Sequence, residues 1–102
     1  MILQRMTEEE LGRISPLIHW QIPIIADETG INRKLVNEVL LVSTFLLTKE
    51  KGKTVMPLDN YIHMHCHRVA SDLGVSYFDV QAIFSAQVEL LVTKAPEKEN
   101  QA

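Results

Sequence analysis

The sequence predicts an all-α chain of five or six helices, and three observations predict it. Cap and stop residues divide the chain into segments of helical length. The longest apolar stretch, residues 35–47, outruns the roughly 4–8 residues of a buried strand despite its valines. Two segments also align on each other without a gap, each reading as a helix, a glycine and a second helix. The 102 residues suffice for one domain and are too few for two separate cores.

Taken in order, Thr7 followed by Glu10 is a capping-box pattern that opens a first helix near Glu8. Ser15-Pro16 reads as a second opening, an N-cap followed by proline at the first helical position. Pro23 allows a third, which Gly30 stops after Thr29. Asn32 caps a helix from about Arg33 to Lys49 that is apolar on more than one face. Such a helix is buried on several sides or pairs with another chain. Lys49-Glu50-Lys51-Gly52-Lys53 reads as a polar turn, with Thr54-Val55-Met56 a short extended piece before Pro57. Asp59 caps a helix from about Asn60 to Leu73, stopped by Gly74, and Ser76 with Asp79 opens the last, Tyr77 to Thr93. The tail from Ala95 to Ala102 has no apolar anchor and is expected to be disordered, leaving one helical domain over residues 1–94.

Composition excludes several function classes. With 46% hydrophobic and 23% charged residues the chain is not of the intrinsically disordered type. No apolar run approaches the ~20 residues that span a bilayer, and no basic region leads into an apolar segment at the start. Cys66 is the single cysteine and forms no internal disulfide, which fits a reducing, cytoplasmic setting. Net charge alternates along the chain: −3 over residues 1–29, +3 over 30–56 and −3 over 57–102. An acidic protein is a poor non-specific polyanion binder, but the central basic stretch leaves room for a local anionic contact.

The repeat carries the most information. Residues 25–39 align on 69–83 at a constant offset of 44, within units of about 23–48 and 60–93. Ala26, Gly30, Val36 and Val39 correspond to Ala70, Gly74, Val80 and Ile83. A small residue lets two helices cross closely, the glycine takes the positive-φ turn, and the apolar residues pack back on the first helix. The pattern resembles the helix-turn-helix of bacterial and phage regulators. That resemblance implies two tandem helix-turn-helix-like units and contact of double-stranded DNA by the start of a second helix. In the first copy these residues are Asn32, Arg33, Lys34 and Asn37, with Lys49, Lys51 and Lys53 able to add backbone contacts. In the second copy Tyr77, Phe78 and Gln81 suit a protein interface better, since no cation lies near them.

His63-Met64-His65-Cys66-His67 is the only run with metal-ligand chemistry. His63 and His67 share a helix face, Cys66 flanks it, and His65 points the other way. Four ligands are needed for a closed site and no second cluster exists, so a polar helix face is favoured and no metal or cofactor is expected. No phosphate loop, nucleophile elbow or metalloprotease motif is present, and an enzyme is not expected. The consecutive Glu8, Glu9 and Glu10 favour a helix N-terminus, and Trp20 is expected in the core with Ile22, Ile24 and Ile25. The leading expectation is a dimeric DNA-binding regulator of transcription or replication, of phage or plasmid type. The alternative is an acidic helical adaptor or inhibitor that binds a protein partner and not DNA.

Overall fold

Two glycines punctuate the chain in the same way. Gly30 (φ 75°) and Gly74 (φ 70°) each sit in the left-handed region. Each donates its N–H to an alanine carbonyl four residues back, Gly30 to Ala26 at 2.9 Å and Gly74 to Ala70 at 2.8 Å. The structure, a computed structural model, describes residues 2–49 and 57–94. Among these it contains α1 (Ile2–Arg5), α2 (Glu8–Ile18), α3 (Gln21–Thr29), α4 (Arg33–Lys49), α5 (Leu58–Leu73) and α6 (Tyr77–Lys94). No strand occurs among the described residues, whose regular structure is entirely helical. No helix among them is long and apolar enough to cross a membrane. The extended piece at Thr54–Met56 and the tail 95–102 fall outside the described residues.

The helix starts follow local chemistry. The Thr7 hydroxyl accepts from the Glu10 amide at 3.0 Å while the Glu10 carboxylate accepts from the Thr7 amide at 2.9 Å, completing the capping box. The Asn32 side chain accepts from the Leu35 amide at 2.8 Å and opens α4. Three expected starts are corrected. α2 runs straight through Ser15-Pro16: Gly12, whose carbonyl the proline leaves without its helical donor, is exposed to water, and the helix ends soon after at Ile18. α3 begins at Gln21, which puts Pro23 in the first turn, where amides have no intrahelical acceptor. α5 begins one residue before Asp59, after Pro57, and Asp59 acts within the first turn without a side-chain cap bond. The short α1 carries no cap signal in the sequence.

Among the described residues, α4 packs against all five of the other helices. Val36, Val39, Leu40, Leu41, Val42 and Leu46 along it are all buried. Burial of each such side chain contributes about 1.5–3 kcal/mol, so this helix is the axis of the core. The apolar surplus of residues 35–47, from which self-association was inferred, is thus taken up within one chain. The second copy of the alanine–glycine pattern places Val80 and Ile83 in the core as the first places Val36 and Val39. The two second helices differ in surroundings: α4 is enclosed, whereas α6 packs on α3, α4 and α5 and keeps an open outer side.

Three polar links tie elements that the apolar core alone would leave free to slide. Gln87 Nε2 donates to Gln21 Oε1 at 3.0 Å, joining α6 to α3. Ser43 Oγ and His65 Nε2 share a buried hydrogen bond of 2.8 Å between α4 and α5. The Ile2 amide donates to both oxygens of Asp72 at 2.9 and 2.8 Å, pinning α1 to the end of α5.

Candidate functional site

Among the described residues, those expected at DNA lie at the two ends of α4. Arg33 and Lys34 are exposed at the start of α4, Asn37 is half-buried, and the Asn32 side chain is engaged as the helix cap. Lys49 lies 16 residues further along α4, about 24 Å away at 1.5 Å per residue. Its ammonium pairs with Glu10 at 3.8 Å and sits 5.2 Å from the centroid of the Phe45 ring. Lys51 and Lys53 lie outside the described residues. The exposed Asp27 and Glu28 occupy the last turn of α3, immediately before the Gly30 turn that leads to Arg33. Negative charge therefore flanks the cations that would meet phosphate.

Helix geometry splits the histidine run. His65 and Cys66 are buried, and burial pushes the Cys66 thiol up from its ordinary range, which disfavours the thiolate. His63 and His67 are exposed and engage Tyr77 across the α5–α6 hairpin. The Tyr77 hydroxyl and His63 Nδ1 are hydrogen-bonded at 2.9 Å, and the His67 ring stacks on Tyr77 at 4.3 Å between centroids. Among the described residues no three His, Cys, Asp or Glu side chains converge as metal ligands would. Tyr77 is half-buried in this cluster, while Phe78 beside it is 75% exposed and Gln81 is exposed.

An apolar opening lies elsewhere. A groove of about 430 Å³ runs between the α2–α3 corner, α4 and α6. Leu17, Trp20, Val88 and Leu91 stand on its rim, exposed by 60, 38, 43 and 44% respectively. Ile18, Leu47 and Phe84 line its deeper part together with the bonded Gln21 and Gln87. Trp20, expected in the core, therefore forms part of the rim. It follows the end of α2 at the corner, where no helical register turns it inward. Leu17 also borders a second groove of about 380 Å³ between α2 and α4, lined by Glu10, Arg13, Ile14, Phe45, Thr48 and Lys49.

Among the described residues, no ionisable side chain lines the first groove. Thr44 adds a hydroxyl to its wall, and the predominantly apolar lining can receive apolar side chains. Sequence reasoning missed this groove because its rim comes from three separate segments. A partial signal existed in the glutamines: Gln21 interrupts the stripe Ile18-Gln21-Ile25, and Gln87 interrupts Ile83-Gln87-Leu90. Two amides set into core stripes need partners, and each supplies the other. Comparison with protein-family models, curated proteins and solved structures yields no match, so the groove and the helix termini are read on their own chemistry.

Proposed function

We propose that this chain is a helical interaction module, an acidic adaptor or inhibitor, whose apolar groove receives the apolar side of a helix from a partner protein. One observation carries the reading: four large apolar side chains from α2, the α2–α3 corner and α6 stand exposed around one uncharged groove. Single exposed apolar residues are ordinary, but their convergence on a concave site marks a binding surface. The net charge of −3 and the exposed Glu8, Glu9 and Glu89 favour a partner helix with basic flanks. The unbridged Cys66 is consistent with a reducing, cytoplasmic setting. Calorimetric titration with an amphipathic leucine–lysine helix of about 18 residues tests the reading. Saturable binding with a negative heat-capacity change, abolished by Leu17→Asp, is expected. Heats that match dilution, or binding indifferent to Leu17→Asp, would sink it.

A second reading keeps DNA as the partner and the chain as a regulator of transcription or replication. It is favoured by the left-handed Gly30 turn followed by exposed Arg33 and Lys34, the arrangement that resembles a helix-turn-helix.

A further inference from the structure

The exposed half of the histidine run is more ordered than a solvated helix face requires. His63 and His67, four residues apart on one side of α5, hold their ring centroids 4.5 Å apart with the planes at 83°. Both rings are fastened to the start of α6. Tyr77 is hydrogen-bonded to His63 Nδ1 at 2.9 Å, and its ring stacks on His67 at 4.3 Å. Tyr77 is itself half-buried and braced edge-on by Phe78. Neither function proposed above uses this cluster.

We infer that His63 and His67 form a two-point chelate on the α5–α6 hairpin for a divalent transition metal of tetragonal preference, nickel or copper. The ring separation selects the metal. An ion about 2 Å from one nitrogen of each imidazole stands about 3.2 Å from each ring centroid. A right angle at the ion then separates the centroids by about 4.5 Å, whereas the tetrahedral angle of zinc needs about 5.2 Å. The observed 4.5 Å matches the right angle between neighbouring ligands in square-planar and tetragonal complexes. Tyr77 supplies the second argument. A histidine that coordinates through Nε2 carries its proton on Nδ1 and donates it to an oxygen, which fixes the tautomer and strengthens the ligand. The Tyr77 phenol oxygen stands where the His63 Nδ1 proton is delivered. Tyr77 is thus a positioning residue, and its stack on His67 lessens the freedom that ring loses on binding. Among the described residues no third His, Cys, Asp or Glu side chain converges on the pair, so the site is open and water completes the coordination. The pair is held together only while α5 is helical, so the ion stabilises the folded chain.

Calorimetric titration of the full chain, free of any affinity tag, with nickel chloride at neutral pH tests the site. One ion per chain is expected, and His63→Ala or His67→Ala, both changes at exposed positions, should weaken binding at least tenfold with helicity unchanged. His19→Ala, at an exposed histidine outside the cluster, should leave binding as it was. Tyr77→Phe keeps the ring and removes the hydroxyl, and about a tenfold loss of affinity at the same stoichiometry is expected. In urea, nickel should raise the unfolding midpoint of the parent and not that of His63→Ala. A parent chain that takes up no nickel at millimolar concentration, or that binds it equally well without His63 and His67, would overturn the inference. Affinity indifferent to Tyr77→Phe would overturn the role given to the phenol.

Discussion

Gln87 of α6 reaches across the chain to Gln21 of α3, and their amides meet at 3.0 Å with both side chains buried. Gln21 Nε2 in turn donates to the Leu17 carbonyl at 3.2 Å. This short relay connects α6 to the end of α2 and fixes the separation between Leu17 and Val88, the two sides of the groove. The groove's width is thereby set by a polar link, although its walls are apolar.

Breaking that link should cost more than its net worth, because a buried amide is left without its partner. Gln87→Ala is expected to lose about 1–3 kcal/mol in urea unfolding, while replacing both glutamines with leucine should cost less than the sum of the two single changes. Strict additivity would show that the amides do not depend on each other.

The Thr7–Glu10 box makes the acid limb of stability partly a property of α2. The hydrogen bond from the Thr7 backbone holds the Glu10 carboxyl below its ordinary value of 4.5, with Lys49 adding to the effect. Its contribution is therefore present above about pH 4.5 and lost as pH falls through the lowered value. Glu10→Gln should flatten that part of the stability profile, and Thr7→Ala should cost roughly 0.5–2 kcal/mol at neutral pH. An unchanged acid limb in Glu10→Gln would place the acid-labile group elsewhere.

Cys66 should behave as an inert core residue. Its burial and raised pKa mean that a thiol reagent reaches it only when the chain opens. The expected trace in dithiobis-nitrobenzoate is slow in the native chain and immediate in urea. Fast native labelling would contradict the packing of α5 described above.

Duplex DNA separates the two functional readings. The interaction-module reading expects no binding to random duplex at low salt. Binding would favour the helix-turn-helix reading, and then Lys34→Ala should flatten the salt dependence by a slope of about 0.9. Asn37→Ala should cost about 1–3 kcal/mol on the preferred site alone. Lys49→Ala should do little in either case, because its ammonium is paired with Glu10 at the other end of α4.

Much of the helical architecture was legible because it is written locally. Capping residues and glycine stops lie within four residues of what they cap, as at Thr7, Asn32, Gly30 and Gly74. Pro16 misled because proline signals a helix start only when nothing earlier has opened the helix. The buried pairs were only half legible. Ser43 and His65 each sit on an apolar stripe, which marks them as needing partners without saying which. Trp20's place on the rim was not legible, and the groove was signalled only by its two glutamines, since a rim drawn from α2, the corner and α6 depends on how three helices cross. The long apolar helix invited a second chain, but α4 finds its partners within its own fold, and the face left unpartnered is on α6.

Trp20 is the chain's single tryptophan and stands on the groove rim, so its emission reports occupancy of the groove directly. Titrating the unmodified chain with the amphipathic leucine–lysine helix, a saturable blue shift of Trp20 emission is expected as water leaves the rim, and its loss in Leu17→Asp. Emission that stays unchanged up to high micromolar peptide, in a folded chain that binds duplex DNA through Lys34, would contradict the assignment of this groove as the functional site.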